Sequence, residues 1–125
     1  MTIEASILQQ LQDDGAVGAL AADRIYAGAF PEGITLPAVS FFRVGTDPIM
    51  YLDGTRDTLL QAKFEVIAWA EDYATAKDLA DAIRDALVGS TAFRASWTNQ
   101  SDQYNDTPPV YFVVQEFNIS QPEDT

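Results

Sequence analysis

Apolar and polar positions change their period several times along this chain. Ile3, Ile7, Leu8 and Leu11 recur at helical spacing, and Asp14-Gly15 supplies a stop. A short amphipathic helix is expected there, with an extra turn at Ala16–Ala22. Asp23–Tyr26 leads into a segment punctuated by Gly28, Pro31, Gly33 and Pro37, which predicts an irregular loop. Ala38–Val44 is β-branched and aromatic and predicts a strand. Gly45–Asp57, with Pro48 and Asp53-Gly54, reads either as a long loop or as a hairpin with ragged ends.

The clearest alternation follows, from about Leu59 to Ala70. Leu60, Ala62, Phe64, Val66 and Ala68 fall on one face and Gln61, Lys63 and Glu65 on the other, until Ile67 and Trp69 take over that second face. This is the half-solvated pattern of an antiparallel strand, with a dry patch at one end. The period then becomes helical. Tyr73, Ala76, Leu79, Ala80, Ile83 and Leu87 make one stripe over Tyr73–Val88, with Asp72 placed to cap the start and Gly89 to end it as a C′ glycine. Asp78, Asp81 and Asp85 lie opposite the stripe. Ala92–Thr98 is a weaker strand candidate, Asn99–Thr107 is polar, and Val110–Ile119 is the most strand-like run in the chain. Its first half is apolar on both faces, Val110, Phe112 and Val114 alternating with Tyr111 and Val113.

The predicted order is α-β-β-α-β-β. That is an α+β two-layer sandwich, a mainly antiparallel sheet of about four strands with two helices on one face. The 125 residues fit one domain, with a core over about 3–120 and a frayed acidic C-terminal tail. Apolar residues exceed what one small core needs. Ile67, Trp69, Tyr111 and Val113, with Ile49, Met50 and Tyr51, are therefore the candidates for a surface that meets a subunit or another partner.

Composition removes most chemistry. There is no Cys and no His, so thiolate chemistry, the usual general base near neutral pH and the commonest metal ligands are missing. Gly15 and Gly18 lack the strand and spacing of a phosphate loop. Asp102–Asp106 lacks the glycine and distal glutamate of a calcium loop. Adjacent carboxylates such as Glu71-Asp72 converge poorly on one substrate atom, and Asp14 reads as half of a turn. No catalytic, cofactor or metal site is expected.

Nineteen acidic against seven basic residues give a net charge of −12. Such a chain repels polyanions, and its scattered arginines form no basic patch for DNA or RNA. The acidic stripe Asp78, Asp81 and Asp85 is either an ordinary solvated helix face or a surface that keeps nucleic acid from sticking. Met1-Thr-Ile-Glu has no charged segment followed by an apolar run, and no stretch approaches a membrane span, so neither secretion nor membrane insertion is expected.

The order and spacing of the segments resemble the tail completion proteins, or tail terminators, of long-tailed bacteriophages and prophages. The resemblance is carried by Arg24-Ile25-Tyr26, by Leu36-Pro37 before a strand, and by a strand ending in Trp69-Ala70. Tyr73, Ala76, Leu79-Ala80 and Leu87-Val88-Gly89 continue it, and it covers roughly Ile3 to Ser120. It implies a structural virion protein, not an enzyme, made in the host cytoplasm and located at the head–tail interface. Such proteins form a ring, usually a hexamer, on the head-proximal end of the tail tube. The ring stops tube polymerisation and meets a head-side connector or stopper protein, and DNA passes through without specific binding. Two alternatives remain at this stage: another head–tail connector or tube component, and a monomeric α+β module that binds a ligand or peptide.

Overall fold

The computed structural model describes residues 2–29, 31, 33–51, 58–106 and 109–122; side chains at 47–51, 58–60 and 122 lie outside that description. The chain folds as α1 (Ile3–Asp13), α2 (Gly15–Ala21), β1 (Ile25–Ala27), β2 (Ala38–Tyr51), β3 (Thr58–Ala70), α3 (Tyr73–Val88), β4 (Arg94–Asp106) and β5 (Pro109–Pro122). The strands form one sheet in the order β1-β2-β3-β5-β4. Every junction is antiparallel except the short parallel pairing of β1 with β2. The α+β class and the mainly antiparallel sheet match the expectation from sequence, with one more helix and one more strand.

Local chemistry explains the extra helix. Asp14 ends α1 and at the same time caps α2, its carboxylate accepting from the backbone N–H of Ala16 and of Val17 at 3.0 Å each. Asp14 is therefore a helix cap rather than half of a simple turn. β1 has only three residues, too few to show a period, and its pairing to Val39–Phe41 comes entirely from tertiary placement. Arg24 anchors the connection that follows, donating from Nε to the Pro37 carbonyl at 2.9 Å.

The segment read as loop or hairpin and the polar segment after Thr98 continue as strands up to Tyr51 and Asp106, and Asp53-Gly54 lies outside the described residues. β2 continues through Gly45 to Tyr51 with register shifts at Arg43/Gly45 and Pro48/Met50. Pro48 is tolerated because β1 covers only the start of β2, leaving this stretch near a sheet edge. β4 runs through Asp106 although its sequence is polar, since an edge strand can be solvated on both faces while β5 supplies the backbone pairing.

The three helices bury one side of the sheet. Ile3, Ile7 and Leu11 of α1, Val17 and Ala21 of α2, and Leu79, Ala80, Ile83 and Leu87 of α3 join Phe41, Phe64, Val66, Phe117 and Ile119 in one core cluster. Arg43 clips α1 to β2 through a two-pronged pair with Glu4, at 2.6 and 3.1 Å, and its guanidinium lies over the Phe64 ring. Asp72 caps α3 by accepting from Thr75 N at 3.0 Å and from the Thr75 hydroxyl at 2.8 Å. The end of α3 departs from expectation. Gly89 is the C-cap with φ of −83°, so no left-handed backbone is needed there. Its small size matters for another reason: a Cβ would sit 2.9 Å from the Asp85 carbonyl oxygen.

Candidate interaction surface

Cross-strand register decides which side chains look away from the helices. Ala68 pairs with Val113 and Phe64 with Phe117, all buried under the helices. The alternate positions, Trp69 opposite Phe112 and Ile67 opposite Val114, therefore share the outer face. Among the described residues no helix covers them, and all four are half-buried. The Trp69 and Phe112 rings stack with centroids 4.8 Å apart. Trp69 Nε1 donates to Ser40 Oγ at 2.9 Å, which draws the indole across β2, where Ala38 and Ser40 are small enough to lie beneath it. Phe42, 42% exposed, extends the apolar surface along β2. Beyond it Glu65 and Glu116 stand directly opposite one another, a like-charge pair that is mildly unfavourable in an isolated sheet. A shallow groove of about 430 Å³ lined by Val44, Gly45, Thr46, Gln61, Lys63 and Asn118 continues toward the far end of the sheet.

The candidates from sequence are thus split. Ile67 and Trp69 fall together on the outer face. Val113 does not: it is 1% exposed and belongs to the core, because pairing with Ala68 turns it toward the helices. Tyr111 shares that inner side, where its ring meets Tyr73 at 5.5 Å and Tyr104 at 4.6 Å. Ile49, Met50 and Tyr51 lie at the end of β2, and their side chains are outside the described residues. Phe112 and Val114 were missed. Their run is apolar on both faces, so alternation alone could not tell which set looks outward.

A second constellation joins α3 to β4. The Tyr73 hydroxyl donates to Asp102 at 2.5 Å and Lys77 Nζ to the same carboxylate at 3.0 Å. The bond from Tyr73 chiefly holds the Asp102 carboxyl below its ordinary 3.8. The same carboxylate raises Tyr73 above 10.0 and Lys77 above 10.5. These shifts keep all three groups in their neutral-pH states, which suits a structural latch rather than proton transfer. Asp78, Asp81 and Asp85 are exposed on α3, and Arg84 lies 3.7 Å from Asp81 and 4.0 Å from Asp85 while stacking on Trp97. Among the described residues no group of three or more Asp, Glu, His or Cys side chains is placed to hold a metal ion.

A family model described as tail completion protein gp17 matches residues 5–121. The fold is similar to that of a chain in the virion of a native gene transfer agent particle, with a TM-score of 0.73 over 97% of this chain and 95% of that one at 21% identity. At that identity the likeness is one of fold. Two structures from Akkermansia muciniphila, one of them without its transmembrane region, align with TM-scores of only 0.37 and 0.44. Their identities are 8% and 12%, over 67% and 95% of this chain and 46% and 48% of theirs, and they carry no argument. No curated protein sequence matches this chain.

Proposed function

The chain belongs to the tail completion protein gp17 family of structural phage-tail proteins, and from that premise we propose that it is a ring-forming tail terminator. In this reading copies of the chain, most simply six, close into a ring on the head-proximal end of the tail tube. The ring ends tube polymerisation and offers its other side to the head connector or stopper, in the virion. The observation that supports this best is the outer sheet face. A chain that has already spent its three helices on one side still carries Trp69, Phe112, Ile67 and Val114 on the other. An aromatic centre with a polar rim is the usual composition of an assembly surface.

The genome passes through such a ring. The net charge of −12 suits that passage, since a wall with an excess of carboxylates repels phosphate and disfavours binding by counterion release. Asp78, Asp81 and Asp85 are the proposed contributors. Negative-stain imaging of purified protein mixed with tail tubes tests the reading directly. Density capping one end of each tube, with tube length fixed thereafter, is expected. Protein that stacks into longer tubes, or that leaves both ends bare, overturns it.

A further inference from the structure

Among the described residues the sheet has two edges with no further strand, and their geometry matches. β4 is the last strand in the order and pairs only with β5, so its backbone from Arg94 to Tyr104 has a strand neighbour on one side. At the other end β1 pairs with Val39–Phe41 and no further, so β2 from Val44 to Tyr51 also has a strand neighbour on one side. The last link is the Gly28 N–H, donated to the Phe41 carbonyl at 2.8 Å, and the positive φ of Gly28, +90°, departs from strand backbone there. The directions are complementary as well. β2 and β5 run one way, β3 and β4 the other. Rotation about an axis lying along the strands preserves those directions. It therefore brings the β2 edge of one copy antiparallel to the β4 edge of the next.

We propose that neighbouring copies join edge to edge, β4 of one pairing antiparallel with the Val44–Tyr51 part of β2 of the next, so that the ring wall is one continuous sheet. The proposal rests on the ring reading above and names its subunit contact. Two different edges make the contact heterologous, the kind that closes into rings. Exposed edges of this length invite indiscriminate pairing unless something restricts them. Here the register shift at Arg43/Gly45 and Pro48, which has no N–H to give, break the β2 edge into short runs that only a partner in register can match. The arrangement gathers the helices of every copy on one side of the wall. The Trp69 faces lie on the other side of the wall.

The chain has no cysteine, so engineered pairs report without background. Chains carrying Val44→Cys or Thr46→Cys together with Ser101→Cys or Gln103→Cys are mixed with tail tubes and oxidised; a disulfide forms only where Cα atoms come within about 7 Å. At least one pair is expected to give a covalent ladder of this chain ending at the closed ring, and each single-cysteine chain none. A dimer from Gln103→Cys alone would mean a two-fold contact, and a crosslink to a tube or connector protein would mean another occupant. Either overturns the proposal, as do tubes capped by all four double variants without a ladder. Amide exchange on the unmodified chain guards against misfolded variants: β4 amides over Asn99–Tyr104 should slow by about tenfold or more on assembly, and unchanged rates refute the contact. Bare tubes with the unmodified chain would remove the ring reading and the edge contact with it.

Discussion

The indole of Trp69 and the ring of Phe112 lie 4.8 Å apart with their planes 23° from parallel, one on β3 and the other directly opposite on β5. The stack stands on the sheet face that the helices leave uncovered. It is therefore both a packing element of the monomer and the centre of the proposed assembly surface.

Those two roles separate on mutation. Trp69→Ala removes the stack and the bond to Ser40 but opens no closed cavity, since the residue is half-buried. Unfolding in urea should show a loss of about 1–3 kcal/mol. Tube capping should fall much further than that loss explains, and Trp69→Phe should restore most of it. Capping by Trp69→Ala at the level of the unmodified chain would limit Trp69 to a packing role.

The Tyr73–Asp102–Lys77 latch sets a pH dependence. The Asp102 carboxyl is held below 3.8, so its contribution is complete above that value and is lost as pH falls through the lower folded value. Tyr73 and Lys77 are raised, so theirs is complete below 10.0 and is lost as pH climbs through the folded values. Asp102→Asn should flatten the acid limb of a stability–pH profile and leave stability near neutral pH nearly independent of salt at this site. A profile identical to that of the unmodified chain would mean the latch is not populated in solution.

Gln115 is fully buried and donates to the Ala80 carbonyl at 2.9 Å, while its Oε1 meets no partner among the described residues. An orphaned buried acceptor carries a desolvation cost, so Gln115→Leu should fall within about 1 kcal/mol of the unmodified chain. Gln115→Glu should cost about 3 kcal/mol or more, because the charge has no cation beside it. Denaturant midpoints at one pH compare the two.

Gly89→Ala should destabilise by about 1 kcal/mol, through the contact its Cβ would make with the Asp85 carbonyl oxygen at 2.9 Å. A D-alanine introduced by chemical synthesis should fare no better than L-alanine, because the backbone here has φ of −83° rather than a left-handed value. Thermal unfolding distinguishes this from an ordinary C′ glycine, where the D-residue would stabilise.

Charge reversal tests the proposed DNA passage. Particles carrying Asp78→Lys and Asp85→Lys should assemble yet release their genome more slowly, with the delay shrinking at high salt. Release at the normal rate would leave the acidic stripe as solvated helix surface only.

Much of this protein is legible in its sequence because the physics concerned is local. Alternation over Ala62–Ala68, the helical stripe from Tyr73 to Leu87 and the cap at Asp72 each depend on neighbours a few residues away. All three reappear in the structure in the same places. The outward direction of Ile67 and Trp69 followed from the same parity, once the helix stripe had claimed the other face. Tertiary structure decided the rest. β1 is too short to carry a period, and the Asn99–Asp106 part of β4 is too polar to be read as a continuation of the strand candidate at Ala92–Thr98. Val110–Val114 is apolar on both faces, so only its register against β3 could bury Val113 and expose Phe112. Register arises from pairing between segments some forty residues apart (Ala68 with Val113, Trp69 with Phe112), and a one-residue slip would exchange the two faces. Sequence alone thus determined which segments are amphipathic; which face the doubly apolar β5 presents, and which edges stay without a further strand among the described residues, were set by how the strands align.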